Sequence, residues 1–173
     1  MSNLDWSGML DLIFRVSAVL ICIMVHEVSH GLAAYLLGDP TAKASHRLSF
    51  NPLRHIDPFG ALMMVVAGFG WAKPVPVDMR YFKNPKSGMA ITALAGPLSN
   101  FFLAYLALTV YFGILPYALR SGGGALLSGL LDFLAGLALL SIGLGFFNLI
   151  PFPPLDGFKV LGALLPNRLY YAA

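Results

Sequence analysis

Residues 16–37 read VSAVLICIMVHEVSHGLAAYLL, a run that contains no proline and, apart from Glu27, no Asp, Glu, Lys or Arg. As an α-helix, these 22 residues would rise about 33 Å, which is enough to cross a bilayer. Ionisable side chains at membrane depth are costly and usually serve a function. The stretch therefore predicts a membrane-spanning helix that carries a functional site.

His26, Glu27 and His30 form the pattern H-E-x-x-H within this helix. Residues i and i+4 of a helix share one face, so the two imidazoles can bind one Zn²⁺ at about 2.0–2.1 Å each. A glutamate beside the first histidine can act as general base on a zinc-bound water. We therefore predict one Zn²⁺ per chain and a metalloprotease in which Glu27 is catalytic.

The composition is that of a membrane protein. Of the 173 residues, 58% are hydrophobic and only 11% are charged, whereas soluble chains average about 25% charged residues. The length suits one compact unit, so we predict a single membrane-embedded metalloprotease domain over residues 1–173. Residues 1–10 have no basic stretch and contain Asp5, so we expect the first helix to be retained rather than cleaved as a signal peptide.

The predicted fold class is an all-α polytopic membrane protein with about three spanning helices and a short C-terminal helix. Between the first and second helices, residues 41–86 are predicted to form a small β/re-entrant loop insertion. They hold most of the charge and five prolines, and a sixth proline precedes them at position 40. The predicted helices cover residues 9–37, 87–119, 125–147 and 158–165, and Gly96-Pro97 is expected to interrupt the second. The predicted strands cover residues 43–50 and 72–78, with a re-entrant or interfacial loop at 59–71.

The basic residues predict the topology. Seven of the eleven lie in residues 39–86, which should therefore face the cytoplasm. This places the N-terminus outside, the glycine-rich loop 121–124 outside and the C-terminus inside. We interpret the basic loop as facing the bilayer surface and predict no nucleic-acid partner.

A catalytic zinc ion needs three protein ligands and one open position, and elimination narrows the choice of the third. Glu27 is the only glutamate in the chain, and the residue six positions after His30 is Leu36 rather than a histidine. Cys22 lies one turn before the first histidine, where a third ligand would be badly placed, so we expect it to be a small buried residue.

Asp156 is the candidate that remains, with His55 as its best competitor. The aspartates at 39, 57 and 78 lie in the polar loop, and Asp132 is predicted near the opposite face of the membrane. Three prolines at 151, 153 and 154 forbid regular helix just before Asp156, and irregular backbone at membrane depth is tolerated where it lines a wet cavity. A simple helix N-cap is the alternative role for this aspartate.

The H-E-x-x-H helix followed by Asn148-x-x-Pro151-x-x-x-x-Asp156-Gly157 resembles the site-2 protease family of intramembrane zinc metalloproteases. The segments 95–100 (AGPLSN) and 51–58 (NPLRHIDP) are similar to its prokaryotic branch. The resemblance covers about residues 16–165. We expect the chain to depart from larger members in lacking their extra membrane helices and an appended PDZ or CBS domain.

The resemblance implies an activity and a set of roles. His26, His30 and Asp156 would be the zinc ligands, Glu27 the base, and Asn148 a group that holds the substrate carbonyl or the oxyanion. The substrate would be a single-pass transmembrane protein cleaved in regulated intramembrane proteolysis, presented by residues 41–80. The location would be the inner membrane of a prokaryotic cell, with the lipid bilayer as the surrounding partner.

Two alternatives come from other functional classes. One is a metal-binding membrane transporter, in which histidines would line an ion path, although three spans are few for a conduit. The other is a non-catalytic membrane scaffold derived from a protease, although every expected catalytic position is filled. His46 and His55 are expected to be loop residues or supports for the site, and His55 is the better candidate for a role there.

Overall fold

The structure, a computed structural model, describes residues 6–55, 57, 59–60, 63, 66, 73–122 and 124–166. Its helices within these residues are α1 (Trp6–Leu36), α2 (Thr41–Ala44), α3 (Pro85–Ser121), α4 (Ala125–Asn148) and α5 (Asp156–Leu164). Single 3₁₀ turns occur at Pro52–Arg54 and Met79–Tyr81.

Three of the described helices are long and apolar enough to cross a membrane, at Leu12–Leu36, Pro85–Ser121 and Ala125–Asn148. Together with the short helix α5, they confirm the predicted set of three long apolar helices and a short C-terminal helix. Their ends follow local chemistry. Gly38, with φ of 106°, lies just after α1, and Gly122, with φ of 76°, caps α3, as is usual for a residue without a Cβ.

The predicted interruption at Gly96-Pro97 is not present, because α3 continues through Pro97 and Pro116. Helix-breaking residues are tolerated in membrane helices where neighbouring groups satisfy the freed backbone. At this level of α3, the Ser99 hydroxyl donates to the Gly96 carbonyl at 2.7 Å.

Mostly small side chains form the contact between α1, α3 and α4. The buried cluster at this junction consists of Ala18, Cys22, Ala104, Ala107, Leu134, Leu137 and Ala138. Small residues let membrane helices approach closely and gain packing contacts that lipid does not provide. Cys22 is buried as expected, and its thiol lies 3.8 Å from the Leu137 carbonyl oxygen.

Neither predicted strand is found in the described part of residues 41–86. In the first, the chain instead forms α2 and then a turn in which His46 has φ of 54°. In the second, described at residues 73–78, the chain has no regular structure. The predicted re-entrant loop falls mainly outside the described residues, and its described members, at 59–60, 63 and 66, are helical.

The backbone donors of residues 73–78, which we call the 73–78 segment, explain why no strand forms. Pro74 and Pro76 have no N–H. The N–H of Lys73 donates to the His55 carbonyl at 2.9 Å. The N–H groups of Val75 and Asp78 donate to side-chain carboxylates. These acceptors take the place of a neighbouring strand.

Candidate metal centre and active site

His26, His30 and Asp156 converge at the contact between α1 and α5. Their potential ligand atoms all lie within 4.8 Å of one another. Asp156 Oδ2 is 3.1 Å from His26 Nε2 and 3.0 Å from His30 Nε2. All three residues are buried, with exposed fractions of 5%, 8% and 5%, so the cluster is a shielded set of two imidazoles and one carboxylate.

This donor set fits a zinc ion. Around a tetrahedral ion with bonds of about 2.0–2.1 Å, neighbouring ligand atoms lie about 3.3 Å apart. The separations of 3.0 and 3.1 Å between the carboxylate oxygen and the two ring nitrogens need only a small expansion to match. Imidazole and carboxylate are also the ligand types of catalytic zinc sites.

The His30 ring is oriented by a backbone group of α3. His30 Nδ1 lies 2.7 Å from the Thr92 carbonyl oxygen, so Nδ1 carries a proton and the ring presents Nε2 to the cluster. Nε2 can donate to the Asp156 carboxylate when protonated and can bind a metal ion when it is not. Metal-binding histidines usually have their second nitrogen fixed in this way. No pattern in the sequence indicates this contact, because any residue at position 92 has a carbonyl.

Asp156 is the first residue of α5, which lies outside the three spans. Burial works to raise the pKa of its carboxyl, but hydrogen bonds with His26 and His30 and the nearby charge of Lys159 together hold the pKa well below its usual range. The Lys159 ammonium donates to Asp156 Oδ1 at 3.1 Å, which leaves Oδ2 to face the histidines. The carboxylate is therefore ionised, as a metal ligand must be.

Glu27 is not part of this cluster, although it lies between the two histidines in the sequence. Its Oε2 accepts a hydrogen bond from the Val75 N–H at 2.9 Å. The side chain still lines the same cavity as His26 and His30. This position suits a base that handles protons beside the ion better than a ligand that binds it.

The cavity in front of the cluster has a volume of about 330 Å³. Asn148, at the end of α4, lines it, and its Nδ2 donates to the Leu144 carbonyl at 3.0 Å. A carboxamide nitrogen carries two N–H groups, so one donor remains for another acceptor. The complete lining is His26, Glu27, His30, Pro74, Val75, Val77, Met89, Thr92, Ala93, Asn148, Pro154, Asp156 and Lys159.

Two glycines allow the close approaches that form the site. A Cβ on Gly96 of α3 would lie 2.7 Å from His26 Cε1 and closer still to the His30 ring. A Cβ on Gly157 would lie 2.7 Å from the Ile150 carbonyl oxygen and would collide with that of Leu149. Any larger residue at either position would push α3 or α5 away from the metal cluster.

The other candidate residues lie elsewhere. His55 is buried, but its Nε2 lies 2.7 Å from the Ser49 carbonyl oxygen and it is not part of the cluster. His46 is exposed on the turn after α2. Asp132 is exposed on α4 and lines a separate cavity of about 650 Å³ together with Arg15.

The chain is 39% identical over 153 residues to "Putative zinc metalloprotease YwhC" of Bacillus subtilis, an alignment that covers 88% of this chain and 69% of YwhC. A model described as Peptidase family M50 matches residues 116–171, which include Asn148 and Asp156. The chain belongs to peptidase family M50. The site-2 protease resemblance of the sequence is thereby confirmed.

More distant M50 relatives are longer than this chain. "Putative zinc metalloprotease Rip2" of Mycolicibacterium smegmatis is 29% identical over 162 residues, which cover 90% of this chain and 57% of that protein. The protein of the same name from Mycobacterium tuberculosis is 28% identical over 153 residues, which cover 84% and 55%. No solved structure matches the chain. The predicted metalloprotease class agrees with these relatives, and the transporter and scaffold alternatives find no support.

Proposed function

We propose that this M50 peptidase is an intramembrane zinc endopeptidase that hydrolyses peptide bonds within or near transmembrane segments of membrane proteins. The observation that carries this proposal is the convergence of His26, His30 and Asp156 beside Glu27 in one cavity. We assign the first three as ligands of one Zn²⁺ and Glu27 as the general base.

When bound there, Zn²⁺ supplies Lewis acidity, which polarises the scissile carbonyl and makes a water molecule easier to deprotonate. The chain provides the proton transfers. Glu27 takes the proton of the attacking water and delivers it to the leaving amine nitrogen. Its carboxylate oxygen Oε1 remains for this work while the Val75 N–H holds Oε2 at 2.9 Å.

Asn148 is assigned to the oxyanion. It lines the cavity from the end of α4, on the far side of the proline-rich break from Asp156. One of its amide hydrogens is used by the Leu144 carbonyl, and the other can donate to the negative charge that develops on the substrate oxygen. One such donor is typically worth about 10²–10³ in rate.

A membrane-spanning substrate must lose helical structure before it can be cut. In a helix the carbonyls are bonded to N–H groups four residues away, so the scissile carbonyl must first be released. A cavity of about 330 Å³ accepts a short extended stretch rather than a whole helix about 10–12 Å wide. We therefore assign an unwound segment of a single-pass protein as the substrate.

The chain is proposed to act as one membrane-embedded domain in the inner membrane of a bacterial cell. Residues 39–86 would face the cytoplasm, with the N-terminus outside. Support comes from the three apolar helices, the bacterial origin of the relatives and the seven basic residues of this loop among eleven in the chain.

The direct test is cleavage of single-pass membrane proteins by the purified chain in detergent or liposomes. We expect cleavage within or beside the membrane segment, its loss on treatment with a zinc chelator, and its return when zinc is added back. Mass spectrometry of the products locates the cut. Cleavage that is insensitive to chelation, or restricted to soluble proteins, contradicts the proposal.

A further inference from the structure

Asp39 is a buried carboxylate that the proposed mechanism does not use. It follows α1 by three positions and has an exposed fraction of 0%. Removing a carboxylate from water is costly unless hydrogen bonds compensate for the loss. Its partners should therefore show what this residue does.

One oxygen of Asp39 forms a local turn, and the other reaches a distant part of the chain. Oδ1 accepts from the Thr41 N–H at 2.9 Å and from the Thr41 hydroxyl, a pattern common where aspartate begins a turn. Oδ2 accepts from the Asp78 N–H at 2.7 Å. This second bond joins the end of α1 to the end of the 73–78 segment.

The side chain of Val75 is buried, but the backbone of the 73–78 segment has few hydrogen bonds that hold it in place. It has no regular structure, and its two prolines cannot donate. Its backbone N–H groups donate from Lys73 to the His55 carbonyl, from Val75 to the Glu27 carboxylate and from Asp78 to the Asp39 carboxylate. Its Pro74, Val75 and Val77 form a wall of the cavity. The carboxylates of Glu27, in α1, and Asp39, just after α1, thus accept hydrogen bonds from this wall on either side of Pro76.

We propose that Asp39 is a positioning residue whose carboxylate holds the 73–78 segment against the metal-binding cavity, so that the Val75 N–H orients the Glu27 carboxylate. Asp39 acts through the Asp78 backbone and touches neither the metal ligands nor the substrate. Its catalytic consequence rests on the function proposed above. The bond between Asp39 and the segment can be tested without any activity.

The test is hydrogen–deuterium exchange of the full chain with zinc, read by mass spectrometry on peptides that cover residues 73–78. In Asp39→Asn, the single remaining carboxamide oxygen can serve Thr41 or Asp78 but not both. The turn to Thr41 is local, so we expect the bond to Asp78 to be lost and exchange in the segment to rise about tenfold or more. Zinc content should remain unchanged, and kcat should fall about 10- to 100-fold with a smaller change in KM.

Matched variants separate this role from general support of the loop. Thr41→Val removes only the hydroxyl donor to Oδ1 and should leave exchange at 73–78 unchanged. A second pair of variants changes the donor of the same bond. Asp78→Pro removes both the side chain and the backbone N–H that donates to Asp39, whereas Asp78→Ala removes the side chain and keeps the N–H. We expect faster exchange of the remaining segment amides in the proline variant only.

Unchanged exchange at 73–78 in a folded Asp39→Asn protein overturns the proposal, as does equal exchange in Asp78→Pro and Asp78→Ala. If Asp39→Asn does not fold, the Asp78 pair decides alone. If the wild-type chain cuts no membrane substrate, the proposed function fails, while the exchange data still decide whether Asp39 holds the segment.

Discussion

Neighbouring residues of one helical turn make different contacts in this site. His26 and His30 direct their Nε2 atoms at Asp156, whereas Glu27 turns to the Val75 N–H. The helix places all three near one cavity, but the separate bond to the 73–78 segment keeps the glutamate out of the cluster. The roles proposed for these residues, ligand for the histidines and base for Glu27, therefore follow from what each side chain bonds to.

Glu27→Gln should fold and retain one zinc per chain but lose nearly all proteolysis. The amide keeps the size of the carboxylate and can still accept from Val75, yet it cannot take a proton from water. Elemental analysis and the cleavage assay, made on the same sample, provide the comparison. Loss of zinc together with activity would instead assign Glu27 as a ligand or a structural residue.

Asp156→Ala should abolish activity and weaken zinc binding by more than about 100-fold, since even changes to groups behind metal ligands cost about 10–100-fold. Asp132→Ala is the control and should change neither property, because that residue is exposed beside a different cavity. Zinc per chain after dialysis distinguishes them. His55→Ala should be measured in the same series. If His55→Ala loses zinc while Asp156→Ala retains it, the ligand assignment is wrong.

The side chains of the site could be predicted from the sequence, but the backbone groups that orient them could not. The i, i+4 spacing predicted the two histidines, and the scarcity of acidic residues reduced the third ligand to Asp156 or His55. The Thr92 carbonyl and the Val75 N–H have no residue-type signature. Lys159 could have been found, because it lies one turn after Asp156 on a short helix.

At the scale of elements, the apolar runs predicted the three spanning helices because hydropathy and length are enough to define a membrane helix. The strands were wrong for a different reason. Proline and alternating apolar residues between 72 and 78 indicate extended backbone, but a strand also needs a partner. Here the partners are Glu27, Asp39 and His55, which no local pattern could reveal.

The closeness of α3 to α1 gives an element-scale prediction. Gly96→Ala should lower zinc occupancy strongly, because its methyl group would overlap the His26 and His30 rings. Gly113→Ala, in the same helix, has no atom within 4 Å of the added Cβ and should bind zinc normally with unchanged or higher thermal stability. Normal zinc binding by Gly96→Ala would show that α3 can move away without loss of the site.

At the scale of the whole molecule, charge should fix the orientation in the bilayer. A cysteine at Lys83 should not react with an impermeant thiol reagent added outside intact cells, whereas one at Gly124 should. Gly124 is exposed with open space around it, and native Cys22 is buried, so the background should be low. Labelling of Lys83→Cys from outside, with Gly124→Cys also labelled, would reverse the topology.

The separation of the clustered residues along the chain has a consequence for biosynthesis. His26 and Asp156 are 130 positions apart, so the first two donors enter the membrane long before the third has been translated. Two imidazoles alone bind zinc weakly compared with three ligands, and the glutamate beside them then has no activated water to deprotonate. With the ligands proposed here, a partly synthesised chain that has not reached Asp156 has no complete zinc site, so we expect it to be inactive.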